Sequence, residues 1–156
     1  MDHKSESKVC METIKAALDK SNWSYDVPEE FFIVTGANGI NAPIRLFIGI
    51  DTDKPTMYIH SPLPLEVAED KIDVMARAVC EVNFTMLVGS FDFDIAKRRL
   101  VFKSTLPFLE SLVSEAVCSY MVVLACLMVD KYYIEFMQLN DGKLTLDEFV
   151  QEIHKD

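Results

Sequence analysis

The sequence predicts an α+β domain, an antiparallel sheet packed with helices in the order α-βββ-α-ββ-α-α. Three observations lead there. Strand-like runs come in groups joined by a few residues each, and such short connections force neighbouring strands to run antiparallel. Helical periodicities stand apart from the strand groups instead of alternating with each strand, which separates this pattern from a doubly wound α/β fold. The chain has 156 residues, half of them apolar, so residues 1–156 suffice for a single domain with a real core.

The elements follow in order. Over residues 6–20, Cys10, Ile14, Ala17 and Leu18 recur at helical spacing. "FFIVTGANGINAPIRLFIGID" reads as strand, Gly/Asn-rich turn and strand, with arms at residues 31–35 and 44–50. Residues 51–55 make a second turn before a third strand at Met57, Tyr58 and Ile59. Pro62 and Pro64 are expected outside any sheet or helix interior, with Pro64 suited to a helix start. The next helix carries Ala68, Ile72, Met75, Val79 and Val82 on one face, and Asn83 is expected to end it or to begin the turn after it. "LVGSFDFD" and "RLVFKST" read as two strands around residues 95–98. A long helix is expected over residues 109–139, and a short one from Thr145.

Charge and composition exclude several functions. A formal net charge of −10 would be repelled by a phosphate backbone, which argues against nucleic acid as a partner. The same charge steers basic partners toward the surface. The most apolar segment, "YMVVLACLMV", extends to only fourteen uncharged residues with residues 116–119, short of the about 20 that a membrane span needs. Cys10, Cys80, Cys118 and Cys126 form no CxxC and no Cys/His cluster, and read as buried reduced thiols. The opening "MDHKSESK" is too polar for a signal peptide, so a cytoplasmic protein is expected.

The candidate chemical motifs are weak. "LNDGKLTLDEF" looks like the back half of an EF-hand loop, with Asp141, Gly142 and Glu148 at positions five, six and twelve. Positions one and three would then be Met137 and Leu139, which offer no oxygen ligand. The same letters make a helix start, with Thr145 as N-cap, Glu148 completing a capping box, and Leu144 and Phe149 as a hydrophobic staple. "GANG" joins two strands and lacks the helix N-terminus of a phosphate cradle. His3, His60 and His154 have no metal-ligand spacing. Asp92 and Asp94 share one strand face, which a solvated surface explains. No catalytic residue, cofactor or metal is therefore assigned.

Two features do need a partner. The long helix is apolar on one side through Val113, Val117, Met121, Leu124 and Met128, the side expected on the sheet. It is apolar again through Val122, Cys126 and Val129, which are expected to be uncovered unless the first and last helices pack there. The sheet should bury Ile44, Leu46, Ile48 and Ile50, leaving Phe47 on its outer face with Tyr58 or Phe32 across from it. Phe47, Tyr58, Val122, Cys126 and Val129 are the candidate partner or dimer contacts.

"IRLFIGID", "TMYIHSPLPLEVAEDKIDVMARAVCEVNFTMLVGSFDFD", "RLVFKSTLPF" and "DKYY" together resemble the YbjN family, over roughly residues 23–133. "VNFTMLVGSFDFD", with Asn83 and Gly89 ahead of an aromatic strand, is the most telling of them. The resemblance implies a type III secretion chaperone-like fold, a dimeric domain built for protein contacts, and a regulatory or chaperone-like role. It carries no active-site residues. The expectation is a non-enzymatic interaction module acting as a homodimer, with a protein partner of unknown identity. The alternative is a small-ligand or metal-binding regulator using the Asp92/Asp94 face or residues 141–148.

Overall fold

The computed structural model describes residues 2–155. In chain order they form α1 (His3–Lys20), β1 (Tyr25–Glu29), β2 (Phe32–Asn38), β3 (Pro43–Asp51) and β4 (Thr56–Glu66). A 3-10 turn (Glu69–Lys71) leads into α2 (Ile72–Thr85), followed by β5 (Ser90–Asp94), β6 (Arg99–Pro107), α3 (Glu115–Asn140) and α4 (Leu146–Ile153). The six strands make one antiparallel sheet in the order β1-β2-β3-β4-β6-β5. The helices cover one face, so the α+β architecture stands as expected.

Strand alternation decides which side chains enter the core. Ile44, Leu46, Ile48 and Ile50 of β3 point to the helices with Met57 and Ile59 of β4, Leu100 and Phe102 of β6, and Phe91 of β5. Phe91 sits at the centre, edge-on to Phe102 at 5.5 Å, Tyr132 at 5.7 Å and Phe136 at 5.3 Å between ring centres. Edge-to-face geometry is what aromatic quadrupoles prefer. α4 adds Phe149, 5.4 Å from Phe136.

Several expectations are corrected. The sheet has six strands: β1, "YDVPE", is a short and mostly exposed edge strand with no buried row, held by pairing Tyr25 to Thr35 and Asp26 to Val34. α1 begins at His3, because Asp2 caps it by accepting the Ser5 N–H at 2.7 Å. Pro62 and Pro64 lie inside β4. Pairing of β4 with β3 ends at His60 opposite Phe47, where the Ser61 hydroxyl takes over by donating to the Arg45 carbonyl at 2.8 Å; from there the backbone ladder of β4 continues with β6 alone, with an irregularity between Pro62 and Glu66. A proline is tolerated where one side of the strand has no ladder to complete. Asn83 neither ends α2 nor begins the turn after it but lies within the helix, which runs on to Thr85. α3 starts at Glu115, not residue 109, where the Ser114 hydroxyl accepts the Val117 N–H. Among the cysteines Cys10 and Cys118 are buried, but Cys80 is exposed; all four are free.

By length and apolar composition α3 could also cross a membrane. Its place here is a core helix, with Ala125, Val129 and Phe136 fully buried. Asp130 ties it to the β2–β3 loop: Oδ1 accepts the N–H groups of Asn41 at 2.7 Å and Ala42 at 3.2 Å. A Cβ on Gly39 would collide with that carboxylate, which explains a glycine at the end of "GANG".

Candidate protein-interaction surface

The phase of α3 differs from expectation. Val122 is 4% exposed and Val129 is fully buried, because α1 packs across α3 and brings Ile14, Ala17 and Leu18 to Cys118 and Val122. Cys126 is half-buried against the core. Val122 and Val129 therefore do not form an uncovered face. The side left in water is Ala116, Tyr120, Val123 and Leu127, with Tyr120 at 56%, Val123 at 48% and Leu127 at 57% exposure. Their spacing of four, three and four keeps them in line for about 16 Å at 1.5 Å per residue. No charge interrupts the line until Lys131. Beside its first turn Glu115 pairs with Lys20 at 3.5 Å, and beside its last turn Asp130 holds a loop on which Ile40 is exposed. The spacing was visible in the sequence, but so were two other apolar stripes, and only the covering helices distinguish them.

The outer sheet face is half apolar. Phe47 pairs in register with Val34 and His60 and stacks on Phe32, with ring centres 6.0 Å apart and 13° between planes. The Arg45 guanidinium lies 5.1 Å from the Phe47 ring centre, a cation–π contact. Tyr58 stands opposite Gly49 and covers it: a Cβ there would strike the phenol ring. Tyr58 also leans on His60 at 4.9 Å. Burial pushes the Tyr58 hydroxyl pKa up, with Asp51 and Glu29 adding to it. His60 is pushed below its ordinary value by burial first and Lys103 second, against a weaker opposing pull from Asp92. Phe47 and Tyr58 are thus half-buried by side chains of their own and neighbouring strands.

The remaining motifs resolve into structural roles. Asp92 pairs with Lys103 at 3.0 Å, and Asp94 accepts the Lys97 N–H at 3.0 Å in the β5–β6 turn. The capping box forms: Thr145 N–H donates to Glu148 at 2.8 Å, and Glu148 N–H donates to the Thr145 hydroxyl at 3.2 Å. The Thr145 backbone bond holds the Glu148 carboxyl below its ordinary pKa. Gly142, at φ 72, ends α3 with its N–H on the Leu139 carbonyl. Leu139 is buried, and among the described residues no three His, Cys, Asp or Glu side chains could hold a metal together. Burial pushes the Cys10 thiol up to about 12 and those of Cys118 and Cys126 up to about 11, which makes poor nucleophiles.

Two asparagine side chains organise main chain that lies outside their own helices. The Asn83 amide donates to the Phe91 carbonyl at 2.9 Å and accepts the Phe91 N–H at 2.8 Å. β5 is a sheet edge, so Asn83 stands where a further strand would pair. Asn140 does likewise for the chain entering α2, accepting the Ala68 N–H at 2.8 Å and donating to the Glu66 carbonyl at 3.1 Å.

A family profile described as "Putative bacterial sensory transduction regulator", YbjN, matches residues 11–137. Nothing among curated proteins matches the chain. Among solved structures it is similar to "Crystal structure of YbjN, a putative transcription regulator from E. coli", at 15% identity and a TM-score of 0.58. The likeness covers 79% of this chain and 90% of that one, and at this identity it speaks for the fold alone.

Proposed function

The chain belongs to the YbjN family, and from that membership we propose that it is a non-enzymatic regulator working through protein–protein contacts as a cytoplasmic homodimer. The observation that carries the dimer is the Ala116, Tyr120, Val123 and Leu127 line on α3. Soluble monomers seldom leave a contiguous apolar strip in water. A two-fold axis across the strip covers it twice with one set of residues, the commonest arrangement of soluble oligomers. A chaperone-like hold on a partner falls within the same reading, since it too works by surface contact.

Light scattering coupled to size exclusion tests it. The expected mass at tens of micromolar protein is twice the 17.7 kDa of one chain. Leu127→Asp should give a folded monomer, because Leu127 faces outward. Val122→Asp should instead unfold the protein, because it places a charge in the core. A single-chain mass for the native protein would remove the dimer.

A further inference from the structure

Away from α3, the turn between α2 and β5 holds large apolar side chains in water. Phe84 is 90% and Leu87 is 99% exposed. The turn is not loosely held. Asn83 clamps Phe91, the Thr85 hydroxyl donates to the Val82 carbonyl at 2.8 Å, and Met86 packs on the core. Gly89, at φ 78, lies against the Phe102 ring where a side chain would clash. The chain therefore fixes a turn whose apolar tips cover nothing of its own.

A shallow groove of about 470 Å³ lies between α2 and α4, and Phe84 follows its Cys80 by one helical turn. Ala76, Cys80 and Leu146 give it apolar lining, with Arg77 and Glu81 beside them. Residues 76, 80 and 84 share one side of α2 at spacings of four. The surroundings are strongly acidic. The 3-10 turn, α2 and α4 together carry seven acidic and two basic side chains, half of the formal net charge of −10. Arg77, the cation in the groove, has Asp73 and Glu81 four residues to either side.

We propose that this groove, with Phe84 and Leu87 as anchors, docks a basic amphipathic helix from a protein partner. The inference rests on the reading of this protein as a protein-contact regulator, and names the chemistry of its partner. An apolar stripe on such a helix meets the groove floor and the two anchors, while Lys or Arg side chains meet the acidic rim. A turn fixed before binding loses little entropy when it docks. Charge selects this occupant over others: a second copy would bring the same acidic rim, and nucleic acid or an anionic lipid surface would be repelled.

The probe is a short fluorescein-labelled peptide of Leu and Lys with Leu at helical spacing, beside the same peptide with Glu for Lys. Anisotropy measures affinity, and amide shifts locate the peptide on the intact protein. The Lys peptide should bind and the Glu peptide should not, with shifts on α2, α4 and the turn. Phe84→Ser with Leu87→Ser should weaken binding about tenfold or more, the usual scale of a lost anchor. Both residues are exposed, so that variant should fold. Asp73→Asn with Glu81→Gln should flatten the salt dependence. Leu127→Asp should leave peptide binding intact, so loss of the dimer and loss of the groove are separate results. Equal binding of both peptides, shifts on α3 instead, or undiminished binding by the Phe84/Leu87 variant would each overturn the proposal. So would a halved mass for that variant, which would make a second copy the occupant, or pelleting with phosphatidylcholine vesicles that the variant abolishes.

Discussion

Replacing Asn83 by Ala tests how the sheet edge is closed. The substitution removes two hydrogen bonds, at 2.8 and 2.9 Å, and leaves both main-chain groups of Phe91 without their partner. A neutral hydrogen bond contributes about 0.5–1.5 kcal/mol net, so the pair amounts to about 2 kcal/mol. Phe91 is at the centre of the aromatic core, so its backbone cannot move far toward another partner. In a chain of this size about 2 kcal/mol lowers the melting temperature by about 4–8 °C. Urea unfolding should show a lower midpoint with an unchanged slope, as the surface exposed on unfolding is the same. The Phe91 amide should exchange faster than its neighbours in β6. Asn83→Asp keeps the acceptor for the Phe91 N–H but sets a carboxylate oxygen against the Phe91 carbonyl, so it should not rescue. A cost for Asn83→Ala below about 0.5 kcal/mol, with Phe91 exchange unchanged, would refute the edge-closing role.

Other expectations concern the caps, the cation and the outer sheet face. Thr145→Ala should cost about 1 kcal/mol, the usual worth of an N-cap, and appear as faster amide exchange confined to α4. Millimolar calcium added to metal-free protein should not raise the melting temperature, whereas a site at 100 times its dissociation constant would add about 2.7 kcal/mol. An upward shift abolished by Glu148→Gln would restore the EF-hand reading. Because His60 is held below its ordinary value of 6.5, the unfolded chain binds more protons as pH falls from 6.5 into that window. Stability present above pH 6.5 should therefore be lost on acidification, and His60→Gln should flatten that part of the profile in urea melts. Asp130→Ala should free the β2–β3 loop, read as faster exchange at Asn41 and Ala42 with the rest of the sheet unchanged.

What could be read from the sequence alone is what neighbouring residues settle among themselves. The alternation in "IRLFIGID" puts Ile44, Leu46, Ile48 and Ile50 on one side whatever lies beyond, and they are the sheet's buried row. The Thr145 cap and the Gly142 stop lie within one turn of the helices they bound, and both form. What escaped depends on contacts far along the chain. β1 is a strand only because β2 pairs with it, and Pro62 fits β4 only because β3 stops pairing at His60. Asp130 and Asn41 meet across 89 residues, and Asn140 reaches Ala68 across 72. α3 shows the limit most clearly. Its segment is apolar all round, so helical spacing supports several phases at once. Packing of α1 over Val122 chose one of them, burying the face expected in water and leaving Tyr120, Val123 and Leu127 outside.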